Sequence, residues 1–263
     1  MKNQWFGDIN DFRKFALLNL LCEFYDNMLV AWMLTGDIPK EEKNTGDGRK
    51  IAFAKKSRRR YWLEGETEGI QKKIWEKLNG FFYDDNDEIK KDVVRKLSCV
   101  KELELLPVSV AQFFDGKTEN DSGFNWNARL LCETHKKKAD IVFFDADNGI
   151  ANNIPGANEI SCSDEKSRGY IFAEEIIAHI KEERSVLIYQ HNTLSKLRNF
   201  GQLCEDCKKI ISDQCSNINI EKYIMCLKGG SVLFLLIEKD RPKRESIAKR
   251  VQEEFTAKFI SIL

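Results

Sequence analysis

Nothing in this sequence approaches the ~20 consecutive apolar residues that a bilayer-spanning helix needs, and its charges cancel, Lys+Arg 42 against Asp+Glu 42. The first absence excludes a helical membrane span. The segment from Met1 to Asp8 also lacks the apolar core of a signal peptide, so a cytoplasmic protein with no membrane partner is expected. The second absence removes the polyanion signature of a strongly basic domain and leaves any nucleic-acid surface to a local patch. Neither GxGxxG nor a Walker A loop occurs, which takes the main support from dinucleotide and P-loop readings. There is no internal repeat.

Cysteine is plentiful but unpatterned. Eight are scattered at positions 22, 99, 132, 162, 204, 207, 215 and 226, in a chain too long to be a stapled miniprotein. Cys204-Glu205-Asp206-Cys207 is a lone CxxC inside a helix-like stretch, without the second matching pair that a structural zinc site wants. Mostly free thiols in a reducing compartment are expected.

What is present is core material. The chain has 263 residues, 42% hydrophobic and 11% aromatic, enough for one α/β domain over 1–263 with a helical insertion at about 63–98. Asp8 or Asn10 can cap an amphipathic helix starting near Asp11, with Phe12, Phe15, Leu18 and Leu21 on its apolar side. Met28 to Leu34 reads as a buried strand opening into a glycine-bearing loop from Thr35 to Lys50. Helical stretches are expected over Gly69 to Leu78 and Ile89 to Leu97, separated by the acidic run Asp84 to Glu88, read as solvated linker. A strand is expected at Val100 to Leu106, a polar loop at Phe113 to Asn125 and a helix at Trp126 to Lys137. Later come a helix near Phe172 to Glu183, a strand from Ser185 to His191 and a helix through Leu203 and Ile210. Two runs, Ile218 to Leu227 and Ser231 to Ile237, flank Gly229-Gly230 as an antiparallel pair at the sheet edge, and a charged helix spans Pro242 to Phe255. The alternation predicts an α/β three-layer sandwich, with a mostly parallel Rossmann-like sheet and an antiparallel edge strand.

The run Ile141-Val142-Phe143-Phe144 ends abruptly in Asp145-Ala146-Asp147-Asn148-Gly149. A buried parallel strand has this pattern when it delivers polar groups to the carboxyl edge of an open sheet, where such folds bind ligands. Asn148-Gly149 is also a strong turn dipeptide. Two acids side by side are costly unless a cation or hydrogen-bond donor meets them. Asp145 and Asp147 therefore suit either a divalent cation, Mg or Mn, or an amino or ribose group. His191 ends the next parallel strand, so it and Tyr189 and Gln190 can face that site, His191 as general base. His135 and His179 lie on charged helix faces and read as structural.

Two further segments carry binding candidates. Asp8, Asn10, Arg13 and Lys14 can form one wall of the crevice, with Arg13 or Lys14 available for phosphate, although a helix cap also accounts for Asp8, Asn10 and Asp11. Arg49, Lys50, Lys55, Lys56, Arg58, Arg59 and Arg60 run into Tyr61-Trp62, a composition suited to phosphate contact and base stacking, or to an ordinary solvated face.

In order, these features resemble the Rossmann-like methyltransferases that use S-adenosylmethionine, in particular the bacterial large-subunit rRNA adenine methyltransferase group. The resemblance rests on Phe6-Gly7-Asp8-Ile9-Asn10-Asp11 leading to Lys14, on Asp145 at a hydrophobic strand end, and on the glycine turn into a final strand. It implies a catalytic role for Asp145 and Asn148, and cofactor binding by Asp8, Asn10, Lys14 and the loop residues Thr35, Gly36 and Asp37. Where that group has Asp-Pro-Pro-aromatic, this chain has Asp145-Ala146-Asp147-Asn148. The N-terminal segment also resembles that of a bacterial family without assigned activity. Phe144 to Gly149 is similar to the haloacid-dehalogenase nucleophile motif as well, though it lies mid-chain and lacks the following threonine.

Three functions are therefore expected to compete. One is a methyltransferase-fold enzyme acting on nucleic acid or a nucleotide; another is a divalent-metal phosphohydrolase or nuclease using Asp145, Asp147 and His191. The third is a non-catalytic, defence-associated binding module.

Overall fold

Strand β1 (Met28–Met33) is buried on both faces because its side chains alternate between two apolar layers. Val30 and Trp32 belong to one buried cluster, Leu29 and Ala31 to the other, so neither face meets water. The computed structural model describes residues 6–33, 51–63, 69–90, 93, 98–115, 138–146, 149–151, 170–191, 199–213 and 219–263.

The remaining strands are β2 (Ala111–Asp115), β3 (Ile141–Asp145), β4 (Gly149–Ile150), β5 (Tyr170–Ile171), β6 (Ser185–His191), β7 (Ile224–Gly229), β8 (Val232–Ile237) and β9 (Ser261–Ile262). A seven-stranded sheet runs β2-β1-β3-β6-β8-β7-β9, with β4 and β5 forming a separate parallel pair. The β2, β1, β3 and β6 neighbours are parallel; β8 pairs antiparallel with both β6 and β7, and β9 antiparallel with β7. The fold is α/β with a mixed sheet. The expected antiparallel pair around Gly229-Gly230 is present, but β8 lies inside the sheet and β9 takes the edge.

The helices are α1 (Ile9–Leu21), α2 (Arg59–Trp62), α3 (Ile70–Phe82), α4 (Cys99–Glu102), α5 (Ala173–Lys181), α6 (Phe200–Asp213) and α7 (Arg241–Glu254). One cluster joins α1, α3 and α7 to one sheet face, and the other joins α5 and α6 to the opposite face. Asp8 caps α1, its side chain accepting from the Asn10 and Asp11 amides. The helix therefore begins before Asp11. It is not amphipathic in the ordinary sense: Asn10, Asp11, Arg13 and Lys14 are buried along with its apolar residues, since α3 and α7 lie in the same cluster on its outer side. No helix among the described residues is long and apolar enough to cross a membrane.

Several expectations fail locally. Val100 to Leu106 is not a strand: α4 begins at Cys99 and the sheet is entered only at Ala111, inside and just before the stretch read as a polar loop. Ile89 pairs with Tyr83 in an isolated bridge rather than opening a helix. The acidic run is a built turn, since Asp87 accepts from the Lys56 and Ser57 amides and so docks the basic segment. Among the described residues, Cys204 is bonded to Cys226 by a disulfide, against the expectation of mostly free thiols. The CxxC spacing thus places Cys204 and Cys207 on the buried side of α6, where β7 supplies the partner.

Candidate functional site

Asp145 continues the alternation of Ile141 and Phe143, which face the α1 side of the sheet. Its carboxylate therefore emerges under α1 at the carboxyl edge of the parallel strands. The Lys14 ammonium meets it there, 2.6 Å from Asp145 Oδ1, and lies 3.1 Å from Asp11 Oδ1. The same ammonium sits 3.9 Å from the centre of the Tyr189 ring. All four residues are buried.

Each partner is held from a different element. Asp11 Oδ2 accepts the Gly7 N–H at 2.8 Å, so the segment before α1 fixes this carboxylate. Burial pushes the Asp11 carboxyl up to about 7, aided by Asp8 and Asp145 and opposed by Lys14 and the Gly7 amide. Burial works against the Lys14 ammonium, but Asp145 and Asp11 outweigh it and hold Lys14 well above its ordinary range. Burial likewise raises the Tyr189 phenol well above its usual range. Asp145 Oδ2 is different: it is buried and has no hydrogen-bond partner among the described residues. A buried acceptor in that condition has a large incentive to receive a donor.

The other expected site residues are distributed around this cluster. Asn10 Oδ1 accepts from Arg13 at 3.3 Å. The Gln190 side chain accepts the Ile150 N–H at 2.8 Å and donates to the His191 carbonyl at 3.0 Å, tying β4 to β6. His191 is half-buried, its ring edge-on to Tyr189 with centroids 5.5 Å apart. His179 packs against Phe144. Thr35, Gly36, Asp37, Arg49, Lys50, Asp147 and Asn148 lie outside the described residues, as does His135.

Asp11 and Glu175 are buried carboxyl groups that were not among the expected site residues. Asp11 was visible only as a cap candidate, yet its i,i+3 spacing from Lys14 is an ion-pair signal. Glu175, in the first turn of α5, accepts the Phe172 N–H through Oε2 at 2.9 Å, while Oε1 has no partner among the described residues. Burial pushes its carboxyl up to about 7, with the Phe172 amide opposing and Glu174 adding to the rise. A cavity of 570 Å³ opens at the opposite, amino edge, lined by Tyr25, Asp140, Arg184 and Ser185 among others. Its Glu238 carboxylate already accepts from Tyr25, Ser185 and the Asp240 amide.

No family model, curated protein or solved structure matches the chain. The chemistry must be read from the site itself. There, one ammonium bridges two carboxylates, and one carboxylate oxygen has no hydrogen-bond partner among the described residues.

Proposed function

We propose that this chain is a methyltransferase-fold enzyme that acts on an amino group of a nucleic acid or nucleotide, with Asp145 as the acceptor for that amino group. The supporting observation is a single atom. Asp145 Oδ2 is buried and unpartnered among the described residues, while Oδ1 is fixed by Lys14 at 2.6 Å. A carboxylate oriented in this way accepts an N–H without itself having to reorganise.

Sheet order supports the same reading. The chain runs from β1 outward to β2, then returns to β3 on the other side, so β1 and β3 flank a topological switch point. Ligands of Rossmann-like sheets bind in the crevice outside such a point. Trp32 of β1 is in register with Asp145, so Asp145 stands at the carboxyl end of β3 beside that point. The glycine turn into β8 agrees with the resemblance in sequence. S-adenosylmethionine, held by Thr35, Gly36 and Asp37 after β1, would supply an electrophilic methyl group. The chain's own contribution is to orient the amino nitrogen through Asp145 Oδ2, with Asn148 as a second acceptor. His191 and Tyr189 line the same edge.

The metal-dependent alternative fits less well. A divalent cation on Asp145 would share that carboxylate with a buried ammonium already 2.6 Å away, and like charges in a low-dielectric site repel strongly.

Calorimetric titration of S-adenosylmethionine into the full chain tests the proposal. Saturable binding is expected, with an increase in thermal stability that grows with ligand concentration. Asp145→Asn should keep that binding and lose methyl transfer to adenine-containing acceptors. No binding at millimolar cofactor removes the reading and leaves the non-catalytic module as its replacement.

A further inference from the structure

We propose that Arg13 forms an anion subsite beside the Asp145 crevice, between the β7–β8 turn and the Tyr61-Trp62 pair, and that it takes a phosphate group carried by a nucleotide. Arg13 is 4% exposed, yet it pairs with no carboxylate among the described residues. Its Nε donates to the Phe259 carbonyl at 3.0 Å and Nη1 to Asn10 Oδ1 at 3.3 Å, both neutral acceptors. Nη2 makes no hydrogen bond to a described residue. The contrast with its neighbour Lys14, which is neutralised by two acids, is sharp.

The acid that acts on this charge does not complete a pair with it. Asp8 is close enough to favour the guanidinium charge, but its carboxylate oxygen Oδ1 accepts from the Asn10 and Asp11 amides. Burial opposes that charge and lowers Arg13 to about 10. A guanidinium that is nearly buried, charged at neutral pH and, apart from the Asp8 charge that acts on it without a hydrogen bond, met among the described residues only by neutral acceptors is placed to receive an anion.

The surroundings are shaped to admit the guanidinium. Gly229 and Gly230 have no side chain, and a Cβ at either would collide with Arg13. Gly230 also has φ +62°, the left-handed conformation a two-residue hairpin turn requires. The guanidinium carbon lies 5.5 Å from the Trp62 ring centre and 5.8 Å from that of Phe259. Beside Trp62, Tyr61 is exposed, with the Lys258 ammonium 5.6 Å from its ring centre. A planar fork for phosphate and an exposed ring for a base are the two halves of nucleotide recognition. The nucleotide identity rests on the function proposed above; the anion subsite does not.

Isothermal titration of the full chain with inorganic phosphate, adenosine 5′-monophosphate and adenosine tests this directly. The monophosphate is expected to bind roughly tenfold or more tightly than adenosine, with inorganic phosphate competing for the same site. Arg13→Gln should remove that preference and leave adenosine affinity unchanged. Equal binding of monophosphate and adenosine by the unaltered protein overturns the proposal, as does an Arg13→Gln variant that still prefers the monophosphate. Should Arg13→Gln fail to fold, Arg13→Lys decides: it keeps the charge without the fork, and retention of the full preference overturns the assignment. If phosphate binds but the monophosphate binds no better, the nucleotide assignment is overturned. Loss of S-adenosylmethionine binding alone, with monophosphate binding intact, counts against methyl transfer and not against this subsite.

Discussion

The Lys14 ammonium lies 2.6 Å from Asp145 Oδ1 and 3.9 Å from the centre of the Tyr189 ring, so one side chain of the first helix closes on the ends of two parallel strands. The arrangement follows from two periodicities. Asp11 and Lys14 are one turn apart on α1, and Asp145 continues the α1-facing alternation of β3. Neither residue could meet water without moving the helix, which α3 and α7 cover. The cluster is therefore both a structural anchor and the place of an acceptor that no described residue satisfies.

Breaking the pair from its two sides should give unequal losses. Lys14→Met strands two buried carboxylates and is expected to cost about 3–5 kcal/mol of stability. Asp145→Asn leaves the ammonium with Asp11 and should cost less. The double variant should recover part of the Lys14→Met loss. Urea denaturation of all four proteins measures this cycle, and strictly additive losses would contradict the contact.

The strands around this site were legible because buried apolar runs with polar ends leave few alternatives: β1, β3, β6 and β8 all lie where the pattern places them. The same pattern failed at Val100 to Leu106, since apolar residues packed beneath a helix read like a short strand. The sheet was entered instead at Ala111-Gln112, where Trp32 donates to the Gln112 side chain. Asp145 was legible from its position. Lys14 as its partner was not, because the contact joins residues distant in sequence and depends on α1 being covered on its outer side. The disulfide was missed for a related reason: Cys226 belongs to a strand, and no spacing rule links it to the CxxC helix.

Gly149 is a second position where one atom decides the packing. It has φ +78°, and a Cβ there would overlap the Gln190 amide that holds the Ile150 N–H. Gly149→Ala should cost roughly 1–3 kcal/mol from backbone strain and displacement of Gln190. Adding Gln190→Ala removes the collision but not the φ cost, so the two losses should not add. A thermal-melting cycle checks this, and a neutral Gly149→Ala would show that β4 is not anchored through Gln190.

Cys204 and Cys226 enclose a segment with a sequence separation of 22, and closing a loop of that length stabilises the folded state by about 3 kcal/mol in the chain-entropy view. Alkylation of the unfolded chain, followed by mass spectrometry, should show the Cys204 and Cys226 thiols protected until a reductant is added. Cys226→Ser should lower the melting temperature, and reductant should lower that of the unaltered protein but not of the variant. Full alkylation without reductant would remove the bond.

Glu175 sets an expected pH dependence. Burial pushes its folded carboxyl up to about 7 from an ordinary 4.5, so between those values the folded state binds more protons than the unfolded one. Stability from this group is therefore fully present below about pH 4.5 and is lost as pH rises through about 7. The loss is on the order of 3 kcal/mol at most. Asp11, also raised to about 7, contributes in the same direction, so the unaltered protein alone does not isolate Glu175. Glu175→Gln does. Gln keeps an acceptor for the Phe172 amide but cannot ionise, so its stability relative to the unaltered protein should improve from pH 5 to pH 8. Urea midpoints measured in parallel at both values read that difference, and a gap that stays constant with pH would show that Glu175 is charged throughout.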